Sequence, residues 1–381
     1  MPQPAPVVDA AGRRGIVERI PELDALRGIA ALGVAVYHYT QRYDELYGHK
    51  TRIWGDPWIW EFLPFGRYGV QLFFLISGFV ILLSVSRAKS AREFAVQRAA
   101  RLYPAFWVAC LLTWGVVQWL GLTGREVPAG TMALNLTMVP LWFKSIAPGV
   151  WYVDGAYWSL KEELLFYVLI AGVLLMRVRR HALWVVAGLI GLHIVGADTS
   201  AWLAEGLGFR DARQMYSSFS LRWFSLFAVG IVLFECLMRG GFRWRRHGVV
   251  LALAVVDLMP MQEVWPRVFA GRPGLGTWEH FGVVVVSAGL VWVAARYRPR
   301  VLRARPLVYL GAISYSLYLL HQNIGYVVIR ECEERGMTAV AAVVVALVTV
   351  IVLASALTFG VERPVYGVVR RWLKGREGVK G

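Results

Sequence analysis

The sequence is poor in cysteine and in charge for its length. Its 381 residues include three cysteines, Cys110, Cys236 and Cys332, which lie far apart without CxxC or metal-ligand spacing. This spacing argues against a disulfide framework and against a zinc site, and we expect no metal. Charged residues make up 17% of the chain and hydrophobic ones 57%, whereas a soluble domain carries about 25% charge. A soluble protein of this composition would expose apolar surface that water cannot solvate.

Signals for secretion and for several common enzyme classes are also absent. Residues 1–21 contain no apolar core followed by a cleavage site, so no signal peptide is expected. The chain has no GxGxxG, Walker, GxSxG or HExxH motif, and dinucleotide, P-loop, serine-hydrolase and zinc-protease chemistry therefore have no support.

Long hydrophobic runs are what the chain has in abundance. Ten of them reach or approach the length that crosses a hydrocarbon core of ~30 Å. They cover residues 23–41, 68–86, 103–121, 160–176, 181–197, 217–238, 247–262, 279–296, 307–329 and 338–360. A further apolar segment, 134–143, is too short to span and is interpreted as re-entrant or interfacial. The predicted fold class is an all-α polytopic membrane protein, a bundle of about ten transmembrane helices.

The distribution of charge predicts the orientation of these helices. Lys and Arg concentrate in alternate connections and in both tails, and acidic residues concentrate in the other connections. This is the positive-inside pattern, so both termini are expected to be cytoplasmic. The net charge of +16 then reflects topology, and no nucleic acid partner is needed. We predict a short mobile cytoplasmic tail (1–22), one transmembrane domain (23–361) and a basic cytoplasmic tail (362–381).

The first run contains two ionisable residues, Arg27 and His38. A charge at the bilayer centre costs at least ~2.5 kcal/mol, so such residues are functional candidates. Eleven residues turn an α-helix about 20° past three full turns, which places both side chains on one face, about 16 Å apart. Arg27 is expected in the inner leaflet and His38 in the outer half. Alternatively, Arg27 snorkels to headgroups and His38 is a packing residue.

The fourth run opens with residues 158–163, WSLKEE. Because this run passes inward, Glu163 is expected near the depth of His38, where a carboxylate could orient a catalytic histidine. Alternatively, both glutamates face water at a helix start, where acids suit the helix dipole, and this reading is preferred for Glu162. Arg222, in the sixth run, is the expected partner of Glu163.

The ninth run carries polar residues at helical spacing. Ser314, Tyr318 and His321 follow the i, i+4, i+7 pattern and share one face. His321 is expected at about the depth of His38. A polar contact between helices explains this face equally well.

Two arginines precede the third run. Arg98 and Arg101 are three residues apart, where that helix enters the membrane from the cytosol. With Arg27 they could form a basic mouth that suits phosphate oxygens. An ordinary positive-inside cluster is the alternative.

These residues lie within segments that resemble the motifs of acyltransferase family 3, a family of membrane proteins. One such motif would be a weak signal, but six occur in the family's order and cover almost the whole chain. They are Leu23–His38, Gly69–Ile81, Arg98–Pro104, Val153–Tyr167, Leu310–His321 and Val361–Tyr366. The sequence departs from the family pattern at Lys161, where a small residue is commoner, and at Gln322, where an aromatic residue is frequent.

The resemblance implies transfer of an acyl group, usually acetyl from acetyl-CoA, to hydroxyls of extracytoplasmic glycans or glycosides. It implies that His38 is catalytic and that Glu163 is the family's glutamate. Our hypothesis is that CoA phosphates bind Arg27, Arg98 and Arg101, and that Glu163 and His321 assist His38 as catalytic residues. Further candidates for substrate binding are Trp158, Ser159, Tyr167, Arg222, Ser314, Tyr315 and Tyr318.

The same resemblance implies the partners and the location. Expected partners are membrane lipid, acyl-CoA, and a lipopolysaccharide, exopolysaccharide, other carbohydrate or glycoside acceptor, in the cytoplasmic membrane of a bacterium. Some family members carry an extracellular SGNH hydrolase-like domain. None is fused here, so the single domain is expected to select its own acceptor. The alternatives are a transporter or flippase with a charged substrate path and a non-catalytic membrane scaffold.

Overall fold

The fold is built from helices. The computed structural model describes residues 6–8, 14–16, 20–47, 63–88, 90–138, 151–176, 181–206, 221–259 and 277–375. The α-helices, numbered in chain order, are α1 Pro21–Tyr37, α2 Tyr43–Tyr47, α3 Gly69–Arg87, α4 Ala91–Leu120, α5 Ala129–Asn135, α6 Trp158–Leu175, α7 Ala182–Gly206, α8 Phe224–Met238, α9 Val249–Leu258, α10 Trp278–Tyr297, α11 Arg305–Glu334, α12 Ala339–Leu357 and α13 Arg363–Gly375.

Short 3-10 and π segments join or extend these helices. The 3-10 segments are Leu63–Tyr68, Gly155–Tyr157, Leu221–Trp223 and Arg300–Arg303, and the π segments are His38–Arg42, Trp244–Gly248 and Thr358–Glu362. The N-terminal tail, for which no regular structure was predicted, contains a small antiparallel hairpin in which β1 Pro6–Val8 pairs with β2 Arg14–Ile16.

The all-helical prediction is confirmed, whereas the count of ten spans stays a prediction. Among the described residues, four helices are long and apolar enough to cross a membrane: Phe65–Arg87, Ala91–Leu120, Trp278–Tyr297 and Ala339–Leu373. α9 has only 10 residues and is shorter than the predicted run 247–262, the end of which lies outside the described residues. α11 has 30 residues but buries serine, histidine, glutamine and asparagine side chains, because it runs through the middle of the bundle.

α4 begins well before the predicted third run. Ser90 caps it by accepting a hydrogen bond from the Glu93 backbone N–H at 3.1 Å, a common helix N-terminal arrangement. Arg98 and Arg101 therefore belong to the helix itself. The helix fixes their spacing relative to the apolar residues that follow.

Glycines let two pairs of helices pack at backbone contact. Gly28 of α1 meets Gly311 of α11, and Gly78 of α3 meets the backbone of Phe227 in α8. A Cβ at Gly28 or Gly78 would overlap backbone atoms of the facing helix. Small residues at such crossings are typical of membrane helix packing. Both contacts tie α1 and α3, which carry the site described below, to their neighbours.

Gly78→Ala should destabilise the protein strongly. The added methyl group would overlap the Phe227 carbonyl oxygen, and overpacking of this kind costs about 1–3 kcal/mol or more. Thermal unfolding of purified protein in detergent would measure the effect. Gly289→Ala in α10 is the matched control, because a Cβ there meets nothing within 4 Å. Equal melting temperatures for the two variants would contradict the packing assigned to α3 and α8.

Candidate active site

α1 and α11 lie side by side with a constant offset along the chain. Gly28 contacts Gly311, and ten residues further along both helices His38 contacts His321. Ten residues of helix span about 15 Å, so the two helices stay paired over that length. The expected proximity of His321 to His38 is confirmed. The His38 Nδ1 and His321 Nε2 atoms are 3.4 Å apart, and the ring centroids are 4.8 Å apart.

The hydrogen bonds of the two rings define their tautomers. His38 Nδ1 lies 2.8 Å from the Val34 carbonyl oxygen, and His321 Nδ1 lies 2.7 Å from the Tyr318 carbonyl oxygen. A carbonyl oxygen can only accept, so each Nδ1 carries the proton in the neutral ring. His321 Nε2 then accepts from His38 Nδ1–H, and His38 Nε2 holds a lone pair. Nε2 of His38 is therefore the nitrogen able to act as base or nucleophile.

His38 is also the residue where α1 changes into the π segment His38–Arg42. π segments within helices are rare and occur often at functional sites. The segment turns Tyr39 toward α11, where its hydroxyl donates to the His321 carbonyl oxygen at 2.6 Å. Gly325 has no side chain at the point where the Tyr39 ring packs against α11.

Asp154 also forms a hydrogen bond with the backbone of α11. Its carboxylate accepts the backbone N–H of Ala156 at 2.8 Å and that of Asn323 at 2.9 Å. The Asn323 side chain in turn donates to the Val153 carbonyl oxygen at 2.9 Å. Burial raises the pKa of Asp154 to about 6, against the opposing effect of the two N–H donors. Asp154 therefore fixes α11 two residues beyond His321.

A cavity lies between α1, α3, α6 and α11. About 410 Å³ within its outline, open solvent included, is not filled by atoms. Its polar lining comes from Ser77, which was not predicted, and from six of the predicted residues: Arg27, Ser159, Glu163, Ser314, Tyr315 and Tyr318. Phe73 and Phe74 form an apolar wall, and the Arg27 guanidinium lies 5.9 Å from the centre of the Phe73 ring.

Glu163 belongs to this cavity. Its carboxylate accepts hydrogen bonds from the Tyr167 hydroxyl and, at 3.4 Å, from the Ser77 hydroxyl. Its charge acts on Arg27 and Arg101. The described contacts of Glu163 do not include one with His38, and His321 occupies the place at His38 that was expected for this carboxylate. The catalytic role of Glu163 stays a prediction.

The three arginines that are predicted to bind the acyl-CoA donor differ in their contacts within the protein. Arg98 donates to the Ser84 hydroxyl and stacks over Tyr167, its guanidinium 5.1 Å from the ring centre. Arg27 and Arg101 make no hydrogen bond or ion pair among the described residues, and Arg27 Nε is buried without a partner. Two of the three cations are thus available for an anionic ligand.

Several predicted substrate-binding residues use their hydroxyl groups within the protein. The Tyr318 hydroxyl donates to the Ala156 carbonyl oxygen at 2.9 Å and accepts from Ser159 at 2.8 Å. The Tyr315 hydroxyl donates to the Leu102 carbonyl oxygen at 2.9 Å. These bonds connect α11 to α4 and to the start of α6.

The remaining candidates are placed as follows. Ser314 lines the cavity while donating to the Gly311 carbonyl oxygen at 2.9 Å. Trp158 packs against Trp223 with ring centres 5.2 Å apart. The side chain of Arg222 lies outside the described residues, so its expected pairing with Glu163 stays a prediction.

The preferred interpretation of Glu162 was wrong. Its side chain does not face water but is buried, and its carboxylate lies 3.3 Å from the ammonium group of Lys161, which is also buried. Lys161 is the residue at which the sequence departs from the family pattern. The pair neutralises two charges beside the cavity, which explains how both can be buried.

Sequence reasoning missed Asp154 and Tyr39. Both side chains form hydrogen bonds with backbone groups of α11. Every residue has such backbone groups, so a contact of this kind produces no recognisable pattern in the sequence. The only available signal was an aspartate directly before a glycine and a helix start, which indicates an N-cap.

This geometry can be compared with known proteins. The family model for an acyltransferase domain (acyltransferase 3) matches residues 20–359. The exopolysaccharide production protein ExoZ of Rhizobium meliloti is 30% identical over 330 residues, which is 82% of this chain and 94% of ExoZ. The acyltransferase MdmB of Streptomyces mycarofaciens is 26% identical over 80% of this chain and 79% of its own length. The putative peptidoglycan O-acetyltransferase YrhL of Bacillus subtilis is 25% identical over 91% of this chain and 55% of YrhL. No solved structure matches.

The helical bundle has paired histidines and a cavity lined by Arg27, and the acyltransferase model matches it over most of its length. These features identify an acyltransferase. The chain belongs to the acyltransferase 3 family, as its motifs indicated. Together with the four helices long enough to span a bilayer, this membership points to a bacterial membrane protein.

Proposed function

We propose that this protein transfers an acyl group, in the first instance acetyl, from cytosolic acyl-CoA to a hydroxyl of an extracytoplasmic carbohydrate. The observation that carries the proposal is the parallel pairing of α1 and α11. In this pair, α1 carries an anion-binding end at Arg27 and a base at His38, which lie about 16 Å apart along that one helix. An extended pantetheine arm suits that separation, with its phosphates at the arginines and its thioester near the histidines.

The donor end of the proposed path is basic and partly apolar. Arg27 and Arg101 provide guanidinium groups suited to phosphate oxygens. Ser77 and Ser159 line the same cavity as Arg27 and are suited to the amide groups of the arm. Glu163 and Glu362 act electrostatically on Arg101 and balance its charge when no donor is bound.

At the other end His38 Nε2 has the lone pair that the reaction requires. In direct transfer it takes the proton of the acceptor hydroxyl as the oxygen attacks the thioester carbonyl carbon. The new C–O bond forms, the C–S bond breaks, and the CoA thiolate leaves with the proton from His38. In the relay version the same nitrogen attacks the thioester, the C–N bond forms and the C–S bond breaks, and CoA leaves as the thiolate. The acceptor oxygen then attacks the acyl group, the C–O bond forms and the C–N bond breaks, and the acceptor's proton passes to the CoA thiolate.

The acceptor and the location are inferred from relatives and from charge. The names of ExoZ and YrhL refer to exopolysaccharide production and peptidoglycan O-acetylation, which favours a polysaccharide acceptor. The positive-inside pattern favours ten spans with both termini cytoplasmic in the inner membrane. This topology puts Arg27 on the side of acyl-CoA and His38 on the side of the glycan.

Purified protein in liposomes should transfer label from radioactive acetyl-CoA to exopolysaccharide fragments, and Arg101→Gln should raise the KM for acetyl-CoA. A charge-assisted hydrogen bond contributes about 1.5–3 kcal/mol, so the expected increase is about 10- to 100-fold. Initial rates against acetyl-CoA concentration measure it. A transporter would instead move a solute without consuming acetyl-CoA.

Arg92→Gln is the matched control, because Arg92 is an exposed residue of the same helix and the variant loses the same charge. Its KM should equal that of the wild type. Equal KM values for Arg101→Gln and wild type would exclude Arg101 from the donor site. Absence of transfer by the wild type with a panel of glycans and acyl-CoAs would overturn the proposed function.

A further inference from the structure

Tyr326 of α11 is a buried phenol beside the histidine pair. Its side chain is completely buried, and its hydroxyl has no hydrogen-bond partner among the described residues. An unpaired buried donor is unfavourable for the folded protein, and native proteins retain few such groups. Its presence next to a candidate base therefore needs a functional explanation.

The surroundings of Tyr326 place it at the site. Its ring centre lies 6.4 Å from that of His38. Tyr43 and Tyr47 of α2 pack beside it, with ring centres 5.4 Å and 5.9 Å from that of Tyr326. The arrangement puts the His38 base and the unpaired Tyr326 hydroxyl within one aromatic cluster at the C-terminal end of α1.

Three other tyrosines around the site are already engaged. The Tyr47 hydroxyl, like that of Tyr326, has no hydrogen-bond partner among the described residues, but of these two it is Tyr326 whose ring contacts that of His38. The Tyr39 hydroxyl donates to the His321 carbonyl oxygen, the Tyr318 hydroxyl to the Ala156 carbonyl oxygen, and the Tyr43 hydroxyl to Glu333 at 3.2 Å. Tyr326 differs from them because its O–H remains available. Acyl transfer requires such a donor, since negative charge develops on the carbonyl oxygen under attack.

We propose that Tyr326 is a catalytic residue whose hydroxyl donates a hydrogen bond to the acyl carbonyl oxygen as the tetrahedral intermediate forms at His38. This inference rests on the proposed function. Tyr326 neither gains nor loses a proton in the step. The acceptor proton goes to His38 Nε2 and then to the departing thiolate, while the Tyr326 O–H stabilises the oxyanion and releases it when the C–S bond breaks.

Tyr326→Phe tests this directly, because it removes only the oxygen. We expect kcat for transfer from acetyl-CoA to fall about 10²- to 10³-fold, as for loss of one oxyanion donor in other acyl-transfer enzymes. The KM for acetyl-CoA should stay unchanged. The melting temperature should be equal to that of the wild type or higher, since the hydroxyl loses no partner.

Tyr309→Phe is the control, because it makes the same change in the same helix, at an exposed residue whose hydroxyl lies 2.6 Å from Ser355. Its kcat should match the wild type. A wild-type kcat for Tyr326→Phe would overturn the proposal, as would a fall in activity that follows a fall in melting temperature, because the hydroxyl would then hold a structural water. Wild-type transfer is measured alongside, so failure of the proposed function is recognised separately.

Discussion

His38→Ala should abolish acyl transfer while leaving the protein folded in the membrane. The variant removes Nε2, the nitrogen that the contacts of Nδ1 with Val34 and His321 leave unprotonated. A positioned general base contributes about 10²- to 10⁴-fold, and a lost acyl carrier stops the reaction entirely. Transfer of label from acetyl-CoA to glycan, measured in liposomes, should therefore fall at least about 10²-fold.

His181→Ala is the matched control, because His181 is an exposed histidine directly before α7 and plays no part in the site. Incubation without acceptor separates the two mechanisms. Label from acetyl-CoA that stays on wild-type protein and is absent from His38→Ala indicates an acyl-histidine. Release of CoA only when acceptor is present indicates direct transfer. Substantial transfer by His38→Ala would exclude both versions.

The sequence was most informative where its signals are local. Helical periodicity placed Arg27 and His38 on one face, and the spacing along the ninth run put His321 at the depth of His38, which the 3.4 Å contact confirms. These predictions need only helix geometry and a topology. Both follow from hydrophobic runs and from the distribution of Lys and Arg.

The sequence was least informative about which helices adjoin. Glu163 was expected at His38, but its carboxylate lies with Tyr167 and Ser77. Depth along the bilayer was used to choose its neighbour, and depth does not specify the lateral arrangement of helices. The lateral arrangement is set by close backbone contacts such as those of Gly28 and Gly78. In the sequence, these two glycines cannot be distinguished from the many other small residues.

His321→Leu should lower kcat about 10- to 100-fold without changing the KM for acetyl-CoA. When His38 Nε2 takes a proton, the ring becomes positively charged, and its Nδ1–H bonds to Val34 and His321 become charge-assisted. His321 therefore stabilises the charged intermediate more than the resting state, and only such differential stabilisation raises kcat. A hydrogen bond to a charged group contributes about 1.5–3 kcal/mol. Arg27 of the donor site lies about 16 Å away along α1, so donor binding should not change.

His321→Gln provides the matched comparison. The Gln side chain has a carbonyl oxygen that can accept from His38 Nδ1–H and an amide that can donate to the Tyr318 carbonyl oxygen, as His321 does now. It should therefore recover a substantial part of the kcat that Leu loses, at a similar melting temperature. If Leu and Gln lower kcat equally, His321 is a packing residue and does not support His38 through a hydrogen bond. If both keep the wild-type kcat, the histidine pair has no part in the rate-limiting step, and the base must be oriented by the Val34 carbonyl oxygen alone.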